Sequence, residues 1–350
     1  MSKVVVVGGG VIGCAVAERL SLDGHQVTLL ERDQLGCRAS GAAAGELSPL
    51  FEVRPARAGQ STTSRADETA LRSLELFPEL IARIERDSAM NVEYRVQEGL
   101  RPALNEEEAV VLRAMGGRWL DAHACRKAEP GLSTDILGAV LLEHAHLTPF
   151  RFVRALARAA ATRGAAIHEG TPVTGFDIAG GEVRRVITPA GSHEADWAVI
   201  AAGPWSKEVA STAGVEVDVR PQRGQLASLD PGALVLRRSI FWSTGYLVPK
   251  ADGTIIAGGT EEESGFDDRP TVSGIATLLN LACRLVPGLG AASLQRAWAG
   301  LRPVTRDGRP IVDVVGAPNL IVATGHHRKG ILLAPLAATT VASIIEGSRK

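Results

Sequence analysis

The sequence predicts an α/β fold in two domains, one on a parallel sheet and a second, α+β, on a mostly antiparallel sheet. Three observations carry this. Val4 to Ala17 (V-V-V-V-G-G-G-V-I-G-C-A-V-A) reads as a buried strand, a glycine turn and a small-residue helix. A second buried strand, Trp197-Ala198-Val199-Ile200-Ala201-Ala202-Gly203, lies far downstream. The later chain alternates short strands with turn residues, as antiparallel sheets do. At 350 residues the chain exceeds one average domain, and 45% hydrophobic residues are ample for two cores.

The opening turn suits a pyrophosphate. Gly8 allows the tight turn, Gly10 lets backbone approach a phosphate, and Gly13 lets the helix pack on the strand. The helix N-terminus then offers N–H groups and a positive dipole end to an anion. After Asp23-Gly24-His25 a second strand, Gln26 to Leu30, ends at Glu31, where a ribose-binding acid belongs, 23 residues after Gly8. An ordinary glycine-rich βα turn is the alternative; strand, helix, second strand and acid together favour a Rossmann-like dinucleotide site. The stretch from Arg32 to Gly45 is small and glycine-rich. It is either a flexible linker or, directly after the ribose strand, a cofactor contact with Ser40 on a phosphate oxygen.

Composition excludes several classes. The net charge of −1 gives no footprint for nucleic acid. Thirty-two of the 38 basic residues are arginine, so an arginine alone says little about function. Cys14, Cys37, Cys125 and Cys283 form no C-x-x-C pair and read as reduced thiols in a cytoplasmic protein. No metal cluster is visible. A core strand from Lys3 leaves no room for a signal peptide, and no apolar run approaches the ~20 residues of a spanning helix, so no membrane partner is expected.

Taken in order, residues 66–88 read as helix with a kink or break at Pro78. Tyr94 to Leu100 is a strand. Asn105 caps a helix to Met115, and Asp121 to Glu129 is another. Thr148-Pro149 caps a helix ending at Gly164, followed by a strand over Ala165 to Glu169. Thr171 to Ile178 and Glu182 to Thr188 form a hairpin about Ala179-Gly180-Gly181. Trp197 to Gly203 rejoins the first sheet, which makes that domain discontinuous. Val215 to Ala227, Ile240 to Val248 and Thr254 to Gly258 are strands of the second sheet, the last two joined by a turn at Lys250 to Gly253. Ser273 to Leu285 is a helix, Leu294 to Gly300 a strand, and Asn319 to Thr324 a return to the parallel sheet. Gly330 to Glu346 is a helix interrupted by Pro335.

The opening motif, Glu31, Ser40 to Gly45, the Val199 to Gly203 strand, Trp298-Ala-Gly-Leu-Arg302-Pro-Val-Thr-Arg-Asp-Gly308 and Gly325-His-His-Arg-Lys-Gly-Ile-Leu-Leu-Ala-Pro335 together resemble the D-amino-acid-oxidase superfamily of flavoproteins. Within it the chain looks most like the glycine oxidases of thiamine biosynthesis, over residues 3 to about 346. The resemblance implies a discontinuous FAD domain, 1–45, 148–213 and 301–350, and a substrate domain, 46–147 and 214–300. It places Val11 and Ile12 over the pyrophosphate and Glu31 and Arg32 at the adenosine ribose. Ala39, Ser40, Ala44, Gly45 and Glu46 line pyrophosphate and flavin, and the Val173 backbone meets the adenine. Gly203 closes the strand of that site, and His326, His327, Arg328, Lys329, Gly330, Ile331 and Leu332 embrace the isoalloxazine.

Carried over in the same way, Arg302 pairs with the substrate carboxylate, Tyr246 adds a bond to it and Arg328 completes the site. The residues alone also allow a surface salt bridge for Arg302, a structural ion pair for Arg328 and a core aromatic for Tyr246. The implied reaction is oxidative deamination. The α-carbon gives hydride to flavin N5, the imine hydrolyses to an oxo acid or passes to thiazole synthesis, and dioxygen becomes hydrogen peroxide. No general base is assigned; His326 and His327 are read as positioning groups. His144 and His146 have no function. No cysteine falls near the ring late in the chain, so FAD is expected to be dissociable. Glu46 and Glu261 depart from the methionines of the best-known glycine oxidase. Glu46 is either a contact for the substrate amine or a solvated loop charge; Glu261-Glu262-Glu263 reads as a solvated turn. Glycine, sarcosine, a small D-amino acid or an imino acid all remain open as substrates. So do a dehydrogenase with another electron acceptor, a non-catalytic or tRNA-modifying FAD protein, and the state of any homo-oligomer.

Overall fold

A computed structural model describes residues 1–49, 65–114, 117–242 and 245–348. The chain opens with β1 (Lys3–Val7), α1 (Val11–Leu22) and β2 (Gln26–Leu30). Short elements α2 (Ala39–Ala42) and β3 (Glu46–Leu47) follow. Helices α3 (Arg65–Glu75) and α4 (Phe77–Ser88) break beside Pro78, as expected. Next come β4 (Arg95–Ala103), α5 (Glu106–Ala114), β5 (Arg118–Asp121), α6 (Ala122–Ala128) and β6 (Gly138–His146). The side chains of Asn105 and Asp121 accept from the Glu108 and Ala124 amides, 2.8 Å each, and cap α5 and α6. Met115, the expected end of α5, lies outside the described residues.

The middle of the chain supplies α7 (Pro149–Thr162), β7 (Ala166–His168), β8 (Gly175–Ala179), β9 (Glu182–Thr188), β10 (Gly191–Glu194), β11 (Trp197–Ile200) and α8 (Ser206–Ser211). Then follow β12 (Val219–Asp230), β13 (Ile240–Trp242), β14 (Gly245–Pro249), β15 (Ile255–Gly258) and α9 (Val272–Leu285). The chain closes with β16 (Ser293–Thr305), β17 (Ile311–Val314), β18 (Leu320–Thr324) and α10 (Gly330–Gly347).

Six strands form the first sheet in the order β17-β18-β11-β1-β2-β7, parallel except for the β17 edge. Val4 to Val7 are buried, as strands covered on both faces must be. β11 lies directly against β1, Val6 opposite Val199, so the sheet is assembled from distant segments. The large sheet runs β16-β12-β15-β14-β13-β4-β6-β3, with β5 also on β6. Its ladders are antiparallel except at β13–β4, so it is mostly antiparallel as expected. Strands β8, β9 and β10 make a small third sheet.

Several expectations need correction. The span from Ile240 to Val248 is two antiparallel strands, Phe241 opposite Tyr246, with residues 243 and 244 outside the described residues. Strands β5, β6, β10 and β17 had no counterpart in the sequence reading. β6 is buried at eight of nine positions, so it lacks the alternation that reveals a half-buried strand. Thr148 begins α7 without capping it through its side chain; the hydroxyl donates to Glu93 instead. Pro335 does not interrupt α10. The segment His327–Gly347, with mean hydropathy 1.6, is long and apolar enough to cross a membrane by length and composition, contrary to the reading of the apolar runs. Here it packs on α1 and α3, and a helix apolar all round is what a buried position requires.

One buried ion cluster locks the helical layer. Glu18 on α1 is 1% exposed and accepts from Arg83 of α4 at 3.0 and 3.2 Å and from Arg163 at 3.1 Å. Glu18→Ala strands two half-buried guanidiniums against α1. The expected loss is about 3–5 kcal/mol, read as a lower urea midpoint at unchanged slope.

Candidate functional site

The carboxyl ends of β1, β2, β11 and β18 border a cavity of about 560 Å³. It lies where the strand order diverges on either side of β1, the usual ligand position in open α/β sheets. Every residue proposed from the sequence lines it except Gly13. Gly13 acts behind the wall: a Cβ there would stand 1.9 Å from the Gly8 carbonyl oxygen, so only glycine lets α1 pack on the end of β1. Gly8 has φ +112° and backs onto the Ala201 carbonyl, where a Cβ would fall within 2.5 Å.

The glycine turn is organised by two side chains. Ser40 Oγ accepts from the Val11 amide at 2.9 Å. Glu31 accepts from the Gly9 amide at 2.6 Å and from the Asp33 amide at 2.8 Å. Both carboxylate oxygens of Glu31 thus hold the turn, with lone-pair capacity left for a hydroxyl. The amides of Gly10 and Ile12 take no partner from the described residues, as expected at a helix N-terminus that awaits an anion. Arg32 lies 3.9 Å from the ring centroid of Trp205, and Trp205 stacks on Phe266. Trp205 and Cys37 line this end and were missed; only the position of Ala201-Ala202-Gly203-Pro204-Trp205 after a parallel strand could have pointed to the tryptophan.

At the other end the loop His326 to Leu332 closes over the cavity. His326 is 3% exposed, and neither ring nitrogen has a hydrogen-bond partner among the described residues. Burial lowers its pKa to about 4, so the ring is neutral. His327 takes the left-handed conformation, φ 49°, and its Nε2 sits 2.8 Å from Gln222 Oε1. Bare turn amides, the orphaned His326 and the volume of the cavity fit a dinucleotide with a flat polar ring system.

Arg302, Tyr246 and Arg328 meet at this end. Arg302 donates to the Thr260 carbonyl at 2.7 Å, which fixes the guanidinium over the sheet. Arg328 pairs with Glu261 at 3.1 Å, so the structural ion pair is present while the arginine still lines the cavity. Glu261 and Glu263 are exposed, as expected of a solvated turn, and each carboxylate of the run also has an arginine partner. Glu262 pairs with Arg223 at 2.6 Å and Glu263 with Arg220 at 2.8 Å. Glu46, by contrast, is not a solvated loop charge. Its side chain is 11% exposed, 3.3 Å from His144 Nε2, and accepts from Ser48 and Ser239. Burial holds the Glu46 carboxyl well above the usual range and pulls Lys250 down, while each charge favours the other. Lys250 donates to the carbonyls of Ala44 and Leu147. Arg101, Phe241 and Trp242 complete the lining and were not foreseen.

Comparison with known proteins bears on this arrangement. The family profile described as DAO, FAD dependent oxidoreductase, matches residues 3–344. A bifunctional protein ThiO/ThiG of Nostoc sp. is 35% identical over 98% of this chain, which spans about half that relative's length, 52%. A glycine oxidase of Geobacillus kaustophilus is 34% identical over 98% of this chain and 92% of its own. The crystal structure of a glycine oxidase from Bacillus cereus superposes with a TM-score of 0.91 at 29% identity, covering 100% of this chain and 96% of the other.

The buried histidines set an acid limit on stability. Burial lowers His144 to about 3 and His146 and His326 to about 4, against 6.5 when unfolded. Below pH 6.5 the unfolded chain takes up protons that the folded chain refuses, so stability falls with falling pH; the raised Glu46 opposes this in part. His326→Leu should reduce that fall by about 1.4 kcal/mol per pH unit between pH 6 and 4.5, read from urea midpoints.

Proposed function

The chain belongs to the DAO family of FAD dependent oxidoreductases, and on that premise we propose that it is a glycine oxidase-like enzyme oxidising a small amino acid, glycine first. The observation that supports this most is that Arg302 and Tyr246 line the same cavity as the loop His326 to Leu332. An anion-binding fork and a phenol thus stand where a substrate could reach the redox end of the cofactor.

FAD would be held by the residues of the long arm. Gly8 to Gly13 and Ser40 face the pyrophosphate, Glu31, Arg32 and Val173 the adenosine, and Ala44 to Glu46 with His326 to Leu332 the ring. Bound FAD supplies a hydride acceptor for the α-carbon and passes the electron pair to dioxygen, giving hydrogen peroxide. The substrate leaves as an imine, which water converts to an oxo acid and ammonia. Arg302 takes the carboxylate through its planar fork, and the Thr260 carbonyl keeps that fork from rotating. Tyr246 gives the second bond, so the α-carbon is oriented before reaction. Arg328, tethered by Glu261, adds positive charge at the same end. No side chain is assigned as a base; a neutral amine needs orientation only.

The domain bounds 1–45, 148–213 and 301–350 for cofactor, and 46–147 and 214–300 for substrate, belong to the same proposal. In its support, the parallel sheet draws its strands from residues 3–30, 166–200 and 311–324. A hand-off of the imine to thiazole synthesis is supported by the joining of ThiO and ThiG in one relative. FAD is held without a covalent bond; acid precipitation should leave the yellow colour in the supernatant, and a yellow pellet would refute this.

Anaerobic mixing of the yellow protein with glycine, sarcosine, D-alanine and D-proline tests the reading. Bleaching followed by peroxide on admitting air is expected with glycine. Bleaching without peroxide would indicate a dehydrogenase, and no bleaching with any of the four would end the amino acid oxidase reading. Arg302→Ala should weaken substrate binding by about 2–5 kcal/mol with FAD content unchanged.

A further inference from the structure

Six glycines in strands of the large sheet, at 99, 138, 224, 245, 258 and 300, have no positive φ, and two of them back onto polar side chains of the cavity. Gly224 lies inside β12 and Gly258 at the end of β15, both buried, and neither has a positive φ. Glycine within a strand is less stable there than alanine, and its presence signals a close approach of another group. In both places that group is a side chain assigned to the substrate.

A Cβ on Gly224 would stand 2.2 Å from Arg302 Nη2 and 2.3 Å from its Cζ. Arg302 extends from the neighbouring β16, where it opposes Gln222, and its guanidinium lies flat on the bare backbone of Gly224. Gly258 directly opposes Tyr246 of β14. A Cβ there would stand 2.6 Å from ring atom Cε2 and 2.7 Å from the phenol oxygen. Each glycine therefore serves as the floor beneath one polar group, and both groups line the cavity.

We propose that Gly224 and Gly258 are positioning residues that set the height of the Arg302 guanidinium and the Tyr246 phenol above the sheet, and so the depth of the substrate-carboxylate site. This rests on the carboxylate-binding reading of Arg302 and Tyr246. An alanine at 224 forces the guanidinium to retreat by about 1 Å to reach ordinary contact at 3.4 Å. The retreat is away from the sheet and pulls against the bond to the Thr260 carbonyl. Misplacement on that scale reaches about 100-fold in rate or binding when groups must meet a ligand in a fixed geometry.

The test uses Gly224→Ala, Gly258→Ala, Arg302→Ala and the double variant Gly224→Ala/Arg302→Ala, each as holoenzyme. Two readouts are taken: the Kd for acetate, from perturbation of the bound flavin spectrum, and the thermal midpoint. For each glycine variant the expected result is at least a tenfold rise in the acetate Kd and in KM for glycine. The change in kcat should be smaller, and FAD content unchanged. Removing the guanidinium frees the space above residue 224, so Gly224→Ala should lower the midpoint of the parent but not that of Arg302→Ala, and should not alter acetate binding further there. If Gly224→Ala alone does not fold while the double variant does, the contact with Arg302 is equally established. Parent-like Kd and KM in both glycine variants, or failure of the double variant to fold, would overturn the proposal. If Arg302→Ala itself binds acetate and glycine like the parent, it is the carboxylate reading that fails.

Discussion

The carbonyl of Gly8 and the first turn of α1 come closer than any side chain permits. With a hypothetical Cβ at Gly13 only 1.9 Å from that oxygen, the helix can sit on the strand only because the residue is bare. Much else follows from this contact. It holds the helix N-terminus at the end of β1, and it puts at the cavity wall the amides of Gly10 and Ile12, which have no partner among the described residues. On the other flank Gly8 makes a second close approach, to Ala201, where a Cβ would fall 2.5 Å from the carbonyl oxygen, and this draws β11 and the turn after it into the same wall. The end of the cavity proposed for the dinucleotide is thus fixed by backbone, and side chains such as Ser40 and Glu31 trim it.

The other end, proposed for the substrate, is built by a different principle. Its charged groups are gripped by partners within the protein: Arg302 by a carbonyl, Arg328 by Glu261, Lys250 by two carbonyls, Glu46 by hydroxyls and a neutral imidazole. Ionisable groups in a largely dry pocket keep fixed positions only when such contacts replace water. Fixed charges of this kind need little reorganisation when a charged ligand arrives, which is the general advantage of a preorganised site.

The parallel sheet and its cavity were legible because their signals are local: β-branched runs, glycines at set intervals, an acid at the end of the second strand. The distant return of Trp197 to Gly203 was legible for the same reason, since a strand buried on both faces looks alike wherever it occurs. What was hidden depends on neighbours. β6 carries Glu143 and the buried His144 and His146, and no element was read there. The burial of Glu46 was not legible because nothing in its own segment announces His144 or Ser239. The hairpin of β13 and β14 was read as one strand because only Ser243-Thr244-Gly245 separates two apolar runs in the sequence. Gly224 and Gly258 acquire meaning only through the strand register.

The order of the strands along the chain has a consequence for biosynthesis. β1 is flanked by β2 and by β11, and β11 by β18, so the parallel sheet joins residues separated by hundreds of positions. The wall formed by His326 to Leu332 and the helix α10 that covers α1 leave the ribosome last among these parts. Until they emerge, α1 has its apolar surface open and the cavity lacks one side. Pairing over such separations is slow and exposes apolar surface meanwhile. Capture of the dinucleotide in its finished enclosure is therefore a late event in the life of the nascent chain, after the large sheet has been made.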